Sequence, residues 1–242
     1  MKKLALLAVL LCSFVAAKAQ LNVQVHYDLG HQLYNELDGS DPSDIDRSAL
    51  TTTVEYLNAD KWGSTFLFVD MDYTRKGVTM AYWEIARDLK FWKAPISAHV
   101  EYNGGVTKGA TLSNCFLVGP NYAWNNANFS KGFTLAAMYK YIGHATFFEG
   151  PRHNFQITGT WYMNFAKNKC TFNGFFDFWK EETLFGKYIF MTEPQFWVNL
   201  NAFDVINDDF NLSVGTEVEI TNNFSGMDGF YAIPTVGMKW TF

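Results

Sequence analysis

Residues 229–242 read GFYAIPTVGMKWTF, and they close the chain. Phe230, Ala232, Pro234, Val236, Met238, Trp240 and Phe242 fall on one face of an extended segment. Tyr231, Thr235, Gly237, Lys239 and Thr241 fall on the other. A period of two is the signature of a β-strand, because successive side chains point to opposite sides of the pleat. Soluble sandwiches and membrane barrels both generate such alternation. The end of this segment separates them: a terminal aromatic, preceded by apolar residues at every second position, resembles the signal by which outer-membrane barrels are recognised for assembly. Trp240 and Phe242 are the expected membrane-assembly signal, read by the barrel assembly machinery through this C-terminal strand.

Working back from that strand, the same pattern recurs in twelve segments: 21–35, 48–58, 62–73, 78–90, 95–104, 112–124, 130–143, 153–165, 170–180, 188–202, 210–221 and 229–242. Clusters of Gly, Asn, Asp and Pro separate them. Strands that cross a bilayer need about 9–11 residues, and these segments reach that length, whereas strands of soluble proteins run nearer 5–6. The reading is an all-β transmembrane antiparallel barrel of about twelve strands, filling residues 20–242 as one domain, with both termini in the periplasm. Short inner turns are expected at 59–61, 125–129 and 166–169. The stretch 36–47, carrying Asp38, Asp41, Asp44 and Asp46, is expected as the first outer loop, with further short outer loops at 105–111, 144–152, 181–187 and 222–228. No helix is required after the leader. Trp62, Tyr73, Trp92, Trp124, Trp161, Trp179 and Trp240 lie near strand ends, where interfacial aromatic girdles form; several of them could equally be interior residues.

Residues 1–19 read as a cleaved signal peptide. Lys2 and Lys3 form the positive start, Leu4 to Ala17 the apolar middle, and Ala17-Lys18-Ala19 the small-x-small cleavage site. About 14 apolar residues fall short of the ~20 needed to span a bilayer as a helix. The net charge of the whole chain is −5, and the leader holds only bases, so the exported part is more acidic still. No basic cluster exists to follow phosphates, which excludes nucleic acid as a partner. Once Cys12 leaves with the leader, Cys115 and Cys170 remain, expected as free thiols near opposite ends of their strands. The histidines are scattered and no metal signature stands out, so neither a metal nor a cofactor is expected. The acids of the first loop read as a solvated outer face.

With the apolar face of each strand turned to lipid, the polar face lines the interior. A charge facing lipid costs roughly 2–4 kcal/mol near the midplane, which drives the polar set inward. That set includes Asp70, Asp72, Glu84, Asp88, His99, Glu101, Lys140, Gln156, Thr158, Thr160, Asn173, Asp177, Glu193, Gln195, Asn199, Glu217, Glu219 and Lys239. Phe66 and Phe68 share a face with Asp70, Tyr82 with Glu84, Phe175 with Asp177, Tyr162 with Thr160, and Trp197 with Gln195. Flat rings beside acceptors and amides suit a solute with a ring and a polar edge. The same residues could instead pair and pack as barrel filling. Barrels of eight strands are filled by side chains and those of sixteen or more leave an aqueous channel, so twelve implies a narrow lumen. The candidate solute site is Phe66, Phe68, Asp70, Tyr82, Glu84, His99, Glu101, Phe175, Asp177, Glu193 and Trp197.

The His26-Tyr27-Asp28 strand, the Ala81-Tyr82-Trp83-Glu84-Ile85-Ala86-Arg87 strand, the Gly119-Pro120-Asn121-Tyr122 strand, twelve segments and the terminal Phe242 together resemble the Tsx-type nucleoside-specific channels of outer membranes, and related uncharacterised barrels. The likeness is diffuse but spans most of the exported chain. It implies a monomeric barrel in the outer membrane of a Gram-negative cell that passes nucleosides past aromatic and ionisable residues, without catalysis. Two departures stand out: the outer loops look short for that family, and the lumen aromatics do not align one by one.

Two other readings are open. In a barrel enzyme, Asp70 and Asp72 would work with His144 or His153 at the outer rim as a hydrolase or protease. A phospholipase-like pair has little support, because no histidine is followed two positions later by Ser. The third reading is a closed structural or adhesive barrel.

Overall fold

The alternating segments become strands because each can bury one face only against its neighbours and must satisfy its backbone hydrogen bonds laterally. Closing the sheet on itself satisfies every strand edge at once. In the computed structural model, residues 20–74, 77–143 and 151–242 are described. The expected signal peptide and His144 lie outside them.

The strands are β1 (Gln20–Asp28), β2 (Leu50–Asp60), β3 (Gly63–Thr74), β4 (Gly77–Leu89), β5 (Ile96–Thr107), β6 (Ala110–Thr111) and β7 (Cys115–Asn125). They continue with β8 (Lys131–Ile142), β9 (His153–Phe165), β10 (Cys170–Lys180), β11 (Tyr188–Thr192), β12 (Gln195–Asn199), β13 (Leu212–Asn222) and β14 (Phe230–Thr241). Every pairing is antiparallel and between neighbours, and β14 returns to β1 with Val25 opposite Met238. The two-residue β6 only prolongs the β5 hairpin. β11 and β12 are one barrel strand, since Thr192 opposite Phe176 and Gln195 opposite Asn173 keep a single register. The result is a closed antiparallel barrel of twelve strands. Among the described residues, no helix is long and apolar enough to cross a membrane.

Pro194 causes the break between β11 and β12. It has no N–H to give the ladder, while its carbonyl still accepts from Val218 N at 3.0 Å. Gly174 lies beside it at φ +158, where a Cβ would meet the Glu193 carbonyl oxygen at 2.4 Å.

Leu135, Ile157, Val214, Val236 and Met238 stand exposed on the outer surface. An apolar belt of this kind on a closed barrel is a lipid-facing surface. Trp62, Phe91, Trp92, Trp124, Phe165 and Phe242 ring the end that carries β14's last residue. At the other end, Tyr188 stacks on Phe178 with rings 5.6 Å apart.

Four expectations need correction. The segment 21–35 leaves the sheet at Asp28, whose Oδ1 accepts from Gly30 N at 2.6 Å and turns the chain into a helical turn, Gly30–Leu33, and then a 3₁₀ turn, Asn35–Leu37. The expectation of no helix after the leader fails at that turn. Secondly, the first outer connection is not short: it runs from 29 to 49 and folds back on itself through an Asp38–Asp46 bridge. Thirdly, Trp179 is no girdle residue. It points inward and is buried, with Lys140 Nζ 4.6 Å from its ring centre. Finally, the inner face is not uniformly polar, because Cys115, Leu117, Ala136, Met138 and Ile142 form a buried apolar wall on β7 and β8. Cys115 and Cys170 are both free.

Candidate functional site

The ladder registers assign each residue a side. Asn22, Glu55, Phe68, Glu84 and Asn103 stand opposite one another across β1 to β5 and share the inner face. By the same count Phe66, Asp70, Tyr82, His99 and Glu101 face inward, as do Phe175 and Asp177 on β10, Gln195 and Trp197 on β12, and Glu217 and Glu219 on β13. Glu193, in the continuous register of β11 and β12, falls on that face too. All eleven residues expected at the solute site therefore line the interior.

These residues do not form one cluster. On β4 and β5, His99 is held between two carboxylates, with Nδ1 3.2 Å from Asp88 Oδ1 and Nε2 2.9 Å from Glu101 Oε2. Asn121 donates to both oxygens of Asp88, at 3.0 and 3.1 Å, and Ser97 Oγ donates to Oδ1 at 2.8 Å. Tyr82 OH donates to Glu84 Oε1 at 2.6 Å. On β8 to β10, Lys140 Nζ donates to Gln156 Oε1 at 2.8 Å, Gln156 Nε2 to Asp177 Oδ1 at 3.2 Å, and Thr158 to the same carboxylate.

A third group lies on β1 to β3 and β12 to β14. Thr53 donates to Asp70 at 2.5 Å, Asn22 to Glu55 at 2.8 Å, and Gln195 to Glu217 at 2.5 Å. Trp197 sits here and is 0% exposed. Its ring already carries Lys239 Nζ at 4.2 Å and the edge of His26 at 5.7 Å, and its Nε1 donates to Gln195. Open ring surface belongs instead to Phe66, Phe68 and Tyr82, which are only partly buried and run in series with successive centroids 5.9 Å apart.

The groups meet across the interior. Glu84 on β4 and Asp177 on β10 both face inward from nearly opposite walls. Asp70 on β3 interacts with Glu193 and Glu217. Carboxylates outnumber the inward lysines Lys140 and Lys239, so the interior is acidic.

Sequence reasoning missed the mouth at the end of the barrel that carries the first loop. Leu37, buried completely, packs with Met227 and Ile233 against Tyr34 and Tyr231, fastening the first loop over the inner face of β14. Arg47 reaches in from that loop, with Nε 2.8 Å from Asp28 and Nη2 2.8 Å from Glu219. Burial opposes its charge, but Glu219 and Asp28 outweigh that and hold the guanidinium above its ordinary range. The one available signal was that Arg47 is the single base in an acid-rich stretch. Of the acids of that loop, Asp41 and Asp46 are exposed and Asp38 and Asp44 are half-buried; hydrogen bonds from Ser40 and Ser43 hold Asp38 and Asp41 below the usual carboxylate range.

Neither His153 with Asp70 and Asp72 nor Ser97 with His99 forms a catalytic arrangement. His153 faces outward and meets Tyr139 OH at 2.5 Å, on the opposite side of the wall from Asp70 and Asp72. Ser97 precedes His99 by two residues and shares its face, a pairing the search for a following Ser passed over. Its hydroxyl donates to Asp88 and the Asn121 carbonyl, and both His99 nitrogens meet carboxylates, so Ser97 has no base. No group of three or more His, Cys, Asp or Glu among the described residues could hold a metal ion.

Two solved structures share this architecture. The NanC porin matches with a TM-score of 0.56 at 10% identity, covering 91% of this chain and 98% of its own. The KdgM porin matches with a TM-score of 0.50 at 11% identity, covering 92% and 99%. At such identity the likeness establishes the fold alone, a closed antiparallel barrel shared with these porins. No curated protein sequence matches the chain. The family described as a domain of unknown function (DUF5020) matches residues 19–242, and the chain belongs to it.

Proposed function

We propose that this protein is a passive diffusion channel of the Gram-negative outer membrane, selective for small polar solutes, with nucleosides as the preferred class. What carries the reading is a closed barrel whose inner face sets partly buried rings beside acceptors: Phe66, Phe68 and Tyr82 in series, with Asp70 and Glu84 on the same wall. A base would stack on the rings, and sugar hydroxyls would donate to the carboxylates. Porin relatives in fold and the resemblance to nucleoside-specific channels point the same way. Both termini would lie in the periplasm, lipid would cover the apolar belt, and the barrel would work as a monomer.

A liposome-swelling series with nucleosides, sugars and amino acids of matched size tests the reading. Faster entry of nucleosides is the expected result. Equal rates for all three would leave a general pore and remove the selectivity, and no swelling at all would favour a closed barrel.

A further inference from the structure

Hydrogen-bond acceptors are in surplus on the β4–β5 wall. Glu101, whose side chain is 7% exposed, uses Oε2 for His99, and its Oε1 has no donor among the described residues. Asn103, 3% exposed and next on the inner face of the same strand, has an Oδ1 equally without a donor. Glu84 stands opposite Asn103 in the ladder, and Asp177 is a further inward carboxyl on the far wall. Lys140 is the one lysine or arginine of this group, and its ammonium is directed to Gln156 and the Trp179 ring. Buried acceptors lacking donors are costly, and a ligand that brings donors and positive charge removes that cost.

The geometry points to a binding site for an organic ammonium group formed by Glu101, Asn103 and Glu84, which makes the channel selective for cationic solutes. This deepens the channel reading and rests on it for transport. A metal ion is not the ligand, since no metal-holding group of three exists among the described residues. A guanidinium pairs best with both oxygens of one carboxylate, and His99 already takes one of the pair on Glu101. An ammonium is a compact point charge with three separate donors, which suits single acceptors on adjacent strands.

Planar bilayers and liposomes holding the full barrel test this. In a KCl gradient the reversal potential should report K⁺ passing in preference to Cl⁻. Putrescine should enter liposomes faster than succinate by roughly tenfold, the ratio that a 1.4 kcal/mol preference gives. Glu101→Gln keeps the shape, removes one acceptor oxygen, and should bring that ratio down severalfold. Equal passage of K⁺ and Cl⁻, or a ratio unchanged in Glu101→Gln, overturns the site and leaves the channel standing. A barrel that admits none of these solutes overturns the channel instead. Calorimetric titration of the detergent-solubilised protein with putrescine then decides the site alone: binding weakened in Glu101→Gln upholds it, and absence of binding in the unsubstituted protein overturns it.

Discussion

Leu37→Ala is the sharpest test of the latch at the mouth under the first loop. Leu37 is completely buried, and its contacts with Met227, Ile233, Tyr34 and Tyr231 form the apolar contact between the first loop and the barrel wall. Truncating a buried Leu costs about 2–5 kcal/mol through lost transfer energy and the cavity left behind. The barrel ladders run on either side of this contact and do not depend on it, so the cost falls on closure of the loop. Arg47 is the only Lys or Arg between residues 29 and 49, and its pairs with Asp28 and Glu219 hold it in place while the loop is closed. Trypsin cleavage after Arg47 therefore counts loop openings. When opening is fast relative to cleavage, the rate follows the open population, and the substitution should raise it roughly 30-fold to several-thousand-fold. Limited proteolysis of the detergent-folded protein, read by fragment mass, gives the rate, and heat-modifiable migration on gels confirms the barrel. A rate equal to that of the unsubstituted protein, with the barrel intact, would refute the latch.

Arg47→Met keeps most of the volume but leaves Asp28 and Glu219 facing each other at the mouth, a change expected to cost roughly 3–5 kcal/mol. A lower urea midpoint is the readout, and an unchanged midpoint would mean the pair contributes nothing. Replacing Phe66 and Phe68 together by Ala removes ring surface worth about 1–3 kcal/mol per stacked base; the nucleoside-to-sugar swelling ratio should fall while the barrel stays folded, and a constant ratio would end the stacking role. Gly119→Val places a Cβ 2.1 Å from the Ala137 carbonyl oxygen and 2.8 Å from Met138 Cα, both backbone atoms. The yield of heat-modifiable barrel should collapse, whereas normal folding would show that β7 and β8 can separate there. Phe242→Ala retains the backbone bond from Phe242 N to the Leu21 carbonyl at 2.9 Å and removes only the terminal ring. Less folded barrel in the outer-membrane fraction, with normal folding in detergent, is the expected pair of results.

The sequence by itself determined the barrel, its strand count and the side each residue takes, because period-two alternation is a local property that survives whatever the strands pair with. His99 and Glu101 could be placed inside from Ile96-Ser97-Ala98-His99-Val100-Glu101 without any partner strand. Local pattern failed where long-range contact ruled. Trp179 shares the inward face of Phe175 and Asp177 by alternation, but its place near a strand end suggested a girdle residue, and that Lys140 covers its ring depends on β8 lying near β10. Trp197 was legible as an inward ring, yet that Lys239 and His26 cover it depends on β14 and β1 lying beside β12 and β13. Nothing in Glu36-Leu37-Asp38 announces a latch, because its partners Met227 and Ile233 arrive from the far end of the chain. Which acceptors keep a free lone pair, as at Glu101 and Asn103, was decided by tertiary structure alone: it depends on where every neighbouring donor is directed once the barrel closes.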